Sequence, residues 1–61
     1  MKKKDLIAKL KNLGWWKYGE GANHEKWTNG EIKTTVPRHR ELNEITANSI
    51  LKLARSNPGI K

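Results

Sequence analysis

Asn29-Gly30 is the feature that most restricts how this chain folds. Flanked by Trp27-Thr28 and Glu31-Ile32, the pair predicts a two-residue type I′ hairpin, because both residues tolerate the positive φ that such a turn demands. A two-residue turn also sets the strand register. Thr28 then lies opposite Glu31, Trp27 opposite Ile32, Lys26 opposite Lys33, Glu25 opposite Thr34, His24 opposite Thr35 and Asn23 opposite Val36. Opposed residues share a face. One face carries Trp27, Ile32, Thr34 and Val36 and is expected to be covered. The other carries His24, Lys26, Lys33, Thr35 and the Thr28/Glu31 pair, and is expected to be wet. Glu25 falls on the covered face, where an unpaired carboxylate is costly. A place at the sheet edge, a lysine of the first helix or a bound partner would each relieve it.

The rest of the chain is punctuated around this hairpin. Leu6, Ile7, Leu10 and Leu13 recur at helical spacing and predict a helix over about Lys3 to Leu13. Asp5 lies in its first turn, and Gly14 supplies its stop. Trp15 to Tyr18 predicts a first strand, turned by Gly19-Glu20-Gly21. Strand neighbours alternate, so at most one of Trp15 and Trp16 faces the core, and the outward one is free to stack on a base or a protein. Ala22 to Thr28 and Glu31 to Val36 are the hairpin strands, the second ended by Pro37. Arg38 to Asn43 is a polar connection. A second helix over about Glu44 to Arg55 follows, with Asn43 as N-cap, Ala47, Ile50, Leu51 and Ala54 as its inward stripe, and Asn57-Pro58-Gly59 as its stop. The expected fold is α+β with order α-β-β-β-α: one domain over residues 1–61, a three-stranded antiparallel sheet with both helices on one face.

A chain of 61 residues has no room for a separate cofactor domain, and without cysteine it has no disulfide, thiolate nucleophile or thiolate metal ligand. No apolar run approaches the roughly 18 residues of a membrane span. Met1 to Lys4 opens like a secretory leader, but Asp5, Lys9 and Lys11 interrupt the apolar stretch that should follow. A soluble, cytoplasmic chain is expected. Thirteen Lys and Arg against six Asp and Glu leave a net charge of +7. On so small a surface that excess implies a polyanionic partner: nucleic acid first, an acidic protein second, an anionic membrane third.

The residues offer little conventional catalytic equipment. No Ser-His-Asp pattern, metal-ligand spacing or phosphate-binding glycine loop is present. That leaves His24 and His39 as proton carriers. RNA is a substrate for which this suffices, because its 2′-hydroxyl is a built-in nucleophile beside the scissile phosphate. A histidine can take the 2′-OH proton, and nearby cations can stabilise charge on the phosphoryl oxygens. His24 and Lys26 are two apart on one strand, roughly 7 Å. Lys33 is expected directly across from Lys26, an opposition of like charges that makes physical sense if an anion sits between them. Arg38 is a further phosphate candidate, and His39 a second proton carrier. A polar residue on a wet strand, a solvated charge face and a loop histidine are the plain readings of the same positions.

Four segments together carry a resemblance. They are an amphipathic first helix ending in Gly14 and an aromatic, Gly21-Ala22-Asn23-His24 at the second strand, Val36-Pro37-Arg38-His39 after the third, and Ser49-Ile50-Leu51-Lys52 in the last helix. In this order and at this length the chain resembles the HicA family of toxins from bacterial HicA–HicB toxin–antitoxin systems, over nearly its whole length. The resemblance implies a fold related to the double-stranded-RNA-binding domain. It implies an mRNA-cleaving toxin that blocks translation and is neutralised by a HicB-type antitoxin. The family's catalytic histidine corresponds to His24. Ala22 stands where the family usually has serine.

The expected protein is therefore a metal-independent, cofactor-free endoribonuclease toxin, with His24 catalytic, Lys26, Lys33, Arg38 and His39 at the substrate, and an antitoxin covering the His24 face. A non-catalytic RNA-binding module of the double-stranded-RNA-binding type is the alternative. Against it, the last helix opens Glu44-Ile45-Thr46-Ala47-Asn48-Ser49, without the basic cluster such modules use to grip phosphates. A protein-interaction domain for an acidic partner is a second alternative.

Overall fold

The two helices and three strands follow in the expected order. The computed structural model describes residues 1–59, with α1 at Lys3–Asn12, β1 at Trp16–Glu20, β2 at His24–Thr28, β3 at Lys33–Pro37 and α2 at Glu44–Ser56. The strands form one antiparallel sheet in the order β1-β2-β3, and both helices pack on one of its faces.

The core is built from the apolar stripes. Leu6 and Leu10 of α1 meet Ala47, Ile50, Leu51 and Ala54 of α2 over Trp27 and Val36, with Trp15 and Leu42 closing the ends. Ile7 and Leu13 are partly buried against this cluster. α1 stops where Gly14 takes φ +85°, a conformation that costs a side-chain-bearing residue dearly. α2 starts where the Asn43 side chain accepts the Ile45 N–H at 2.8 Å. Residues 1–3 lie antiparallel to residues 40–42: the Met1 amine donates to the Leu42 carbonyl at 3.1 Å, Leu42 N–H to Met1 at 2.8 Å and Lys3 N–H to Arg40 at 3.0 Å. These bonds fix the Arg38–Asn43 connection to the start of α1.

The hairpin differs from expectation. Thr28 pairs with Lys33, Trp27 with Thr34, Lys26 with Thr35, Glu25 with Val36 and His24 with Pro37. The loop is thus Asn29-Gly30-Glu31-Ile32, two residues longer than predicted, and it is not a type I′ turn. Only Gly30 has positive φ, at +102°; Asn29 does not. The cause is the Asn29 side chain. Its Oδ1 accepts the N–H groups of Glu31 at 2.8 Å and Ile32 at 2.7 Å, which folds the backbone into a wider loop. Its Nδ2 donates to the Asn57 carbonyl at 2.9 Å, at the end of α2. The same carbonyl accepts from the Trp15 indole at 2.9 Å, so one acceptor ties loop, strand entry and helix end together.

A slip of one residue would have turned every side chain over, but a slip of two preserves the faces. Trp27, Thr34, Val36 and Glu25 still face the helices. Ile32 is the exception, having left the strand for the loop, where it packs partly buried on the core. The adjacent tryptophans divide as alternation requires: Trp15 is 2% exposed and Trp16 46%.

Candidate functional site

The face of the sheet away from the helices is open. His24 and Lys26 project from β2, Lys33 and Thr35 from β3, and all four are exposed. His24 lies at the end of the hairpin opposite the loop. Its carbonyl accepts the Gly21 N–H at 2.7 Å, and its strand neighbour Asn23 accepts the Arg38 N–H at 3.2 Å. The backbone around His24 is therefore held on both sides while its imidazole is free to reach a ligand.

The corrected register redistributes the cations. Lys26 faces Thr35, not Lys33, so the expected opposition of two like charges does not exist. Lys33 faces Thr28, four residues along β2 from His24 and about 13 Å away along the strand. Lys26 remains about 7 Å from His24. Lys33 instead sits over the Tyr18 ring, with its ammonium 5.5 Å from the ring centroid. Arg38 follows Pro37, the residue paired with His24, so its backbone is beside the histidine. Its charge also reaches Glu20 and Lys17 across the end of the sheet. His39 is exposed in the connection that follows. The structure thus gathers His24, Lys26 and the Arg38 backbone at one end of the open face and leaves Lys33 at the other.

One feature of the site went unread in the sequence, and a second was left open among alternatives. The first is Tyr18, 44% exposed on the same face as Trp16 and beneath Lys33. The i, i+2 spacing of Trp16 and Tyr18 is a signal that both face one way. A bulge between Lys17 and Gly19 follows, so that Lys26 pairs with Gly19 while Lys17 and Glu20 turn to the helix side. There the Lys17 ammonium donates to Glu20 at 2.8 Å. That hydrogen bond, followed by the charge of Lys17, holds Glu20 below the usual carboxylate range and raises Lys17 in turn.

The second is the partner of Glu25. Glu25 is 8% exposed; its carboxylate accepts from the Lys3 ammonium of α1, and accepts the Trp27 indole N–H at 3.2 Å. Of the three ways to accommodate this carboxylate, the lysine of the first helix is the one used. Burial alone would raise its pKa; the hydrogen bonds from Lys3 and Trp27 and the Lys3 charge outweigh burial and keep it below the ordinary value.

Among the described residues, no three His, Asp or Glu side chains come together in a group able to hold a metal ion, and no helix is long and apolar enough to cross a membrane. The family model described as the HicA toxin of bacterial toxin-antitoxin matches residues 4–55. The chain belongs to the HicA toxin family. No curated protein and no solved structure matches it. The match runs from the first turn of α1 to the last turn of α2, so it takes in every strand, both helices and all five of the cationic and histidine positions discussed above. A HicA toxin is one half of a toxin–antitoxin pair, and the open sheet face is the part of this one left uncovered by its own helices.

Proposed function

We propose that this HicA-family chain is a metal-independent endoribonuclease that cleaves mRNA and blocks translation, with His24 as its essential proton carrier. The observation that supports it best is a histidine free at its side chain and pinned at its backbone, on an open face with Lys26 two residues away. In this reading His24 takes the proton of the 2′-hydroxyl. The 2′-oxygen attacks the adjacent phosphorus, the bond to the 5′-oxygen breaks, and that oxygen leaves with a proton supplied by His39 or water. Lys26 and the Arg38 guanidinium balance the charge on the non-bridging oxygens, where preorganised cations contribute most. Lys33 contacts the strand further along. The nucleophile comes from the substrate, so the chemistry asks for no metal.

A HicB-type antitoxin would neutralise the toxin by covering the same face. Its contact surface would be complementary in charge to Lys26, Lys33 and Arg38. The decisive experiment maps the cut in a defined RNA and then replaces the ribose at that position with 2′-deoxyribose. Cleavage is expected to stop at that bond and to continue in EDTA with the natural ribose. Cutting at the deoxy position, or no cleavage of any RNA, overturns the reading.

A further inference from the structure

An open groove of about 700 Å³ runs between α1 and the free edge of β1, on the helix side of the sheet. Its wall on α1 is the stripe Lys4, Ile7, Lys11, spaced i, i+3, i+7 and therefore on one side of the helix. These two lysines are separated by about 10 Å along the axis. Trp16 and Lys17 form the β1 wall. Trp27 and the buried Glu25 carboxylate line the floor. A second hollow, lined by Lys2, Lys3, Lys4, Arg40 and Glu41, shares Lys3 and Lys4 with the first and extends the basic surface towards the N-terminus.

The charges in this region are not equivalent. Lys3 is committed to Glu25 and Lys17 to Glu20, whereas Lys4 and Lys11 have no acidic partner among the described residues. Two uncommitted ammonium groups therefore rim a groove whose interior is apolar and aromatic, with the Lys3–Glu25 ion pair at its base. That pattern sorts the two halves of a nucleotide. Phosphate is drawn to the two free ammonium groups of the rim, because the Lys3–Glu25 pair at the floor is already neutralised; a base has Ile7, Trp27 and Trp16 to pack against. Stacking on an exposed aromatic requires an unpaired base.

The groove also connects to the open face. β1 is the only strand between His24's strand and this edge, and neighbouring strands are about 4.8 Å apart. Gly19, opposite Lys26 at the bulge, has no side chain of its own there, and the Lys26 stem lies beside it, its Cδ 3.8 Å from where a Cβ would stand. Trp16 belongs to both surfaces: it is exposed on β1, lines the groove, and its ring lies 3.4 Å from where a Cβ on Gly30 of the hairpin loop would stand.

We infer that the α1–β1 groove is a second RNA subsite, which takes an unpaired nucleotide flanking the cut, its base against Trp16 and Ile7 and its phosphates on Lys4 and Lys11. This rests on the ribonuclease reading for the meaning of "flanking", but its binding is measurable without cleavage. It makes the substrate single-stranded RNA that wraps the β1 edge. It also gives the lysines of α1 a defined task beyond general attraction.

The test uses the full chain and a non-cleavable single-stranded RNA of about a dozen nucleotides, fully 2′-O-methylated. Lys4→Gln/Lys11→Gln keeps two good helix formers on an exposed surface, so the fold is expected to be unchanged by circular dichroism. Its affinity for the RNA should fall by about tenfold or more at low salt, and the slope of log K against log salt should flatten by about 1.4, the loss of two phosphate contacts on a single strand. Quenching of indole fluorescence by the RNA should largely vanish in Trp16→Leu. On a cleavable dinucleoside monophosphate, which has the scissile bond and no flanking nucleotide, the double variant should match the wild type, while on longer RNA its KM should rise. Unchanged affinity and salt slope in the double variant overturn the subsite, as does an equal loss on the dinucleoside monophosphate, which would mean general attraction only. Binding of an acidic peptide in place of RNA, with the same two lysines required, would reassign the groove to a protein and likewise overturn it. If no RNA is cleaved but the binding results hold, the subsite stands and the nuclease reading falls.

Discussion

Adjacent residues of β2 live in two different environments. Glu25 and Trp27 point under the helices, are buried, and are hydrogen-bonded to each other. His24 and Lys26 point the other way and are exposed, with no helix above them. The pleat alone separates them. One strand thus supplies both the centre of the core and the centre of the proposed chemistry, and the two sets of side chains do not touch. Substitutions from His24 to Trp27 should therefore alternate in effect, with stability lost at Glu25 and Trp27 and function lost at His24 and Lys26; Thr28, at the end of the strand, is itself buried.

The largest stability effect is expected at Trp27→Ala, which empties the middle of a small core; about 3–5 kcal/mol should be lost, read from urea unfolding. In a chain of this size that approaches the whole folding free energy. Next comes Asn29→Ala. Asn29 is 6% exposed and makes bonds to Glu31, Ile32 and Asn57, so a loss of about 2 kcal/mol is expected from the unmet backbone groups. Lys3→Met leaves the Glu25 carboxylate with only the Trp27 indole, and should cost about 1–2 kcal/mol near neutral pH.

That last comparison has a pH signature. Against the effect of burial, the hydrogen bonds from Lys3 and Trp27 and the Lys3 charge hold the folded Glu25 carboxyl below its ordinary pKa. Its stabilising contribution is therefore complete above the unfolded value and disappears as the pH falls through the lower, folded one. The stability gap between the wild type and Lys3→Met should hold from neutrality down to about pH 5 and close in acid. A gap that widens in acid would contradict the assignment of Lys3 as the partner. The smallest stability effects belong to the open face: Lys26→Ala and Lys33→Ala should each change unfolding by less than about 0.5 kcal/mol. Of the two, Lys26 should cost more RNA cleavage, being nearer His24. Equal losses would show that charge, rather than position, governs the face.

Much of this two-sidedness was legible in the sequence. The helix stripes at Leu6/Leu10 and Ala47/Ile50/Leu51/Ala54, the stop at Gly14, the cap at Asn43 and the outward turn of His24 and Lys26 all follow from local periodicity and local chemistry. The register did not. Asn29-Gly30 is a strong local signal for a two-residue turn, but the Asn29 side chain is recruited by Asn57, 28 residues away, and by its own loop. A long-range hydrogen bond overrode a local preference. The faces survived because the slip was even, and the Lys26–Lys33 opposition did not. Glu25 was recognised as misplaced, yet its partner depended on how α1 is rotated over the sheet, which spacing within either element does not encode. The α1–β1 groove was hidden for the same reason: Lys4, Ile7 and Lys11 mark a helix stripe, but only packing brings Trp16 and Lys17 across from it.

If the open face carries the chemistry and the covered face the fold, removing the imidazole should separate the two. His24→Ala should unfold at the same urea concentration as the wild type, and should lose both RNA cleavage in vitro and growth arrest on expression. A folded His24→Ala protein that still cuts RNA and still arrests growth would show that the chemistry lies elsewhere than on the open face.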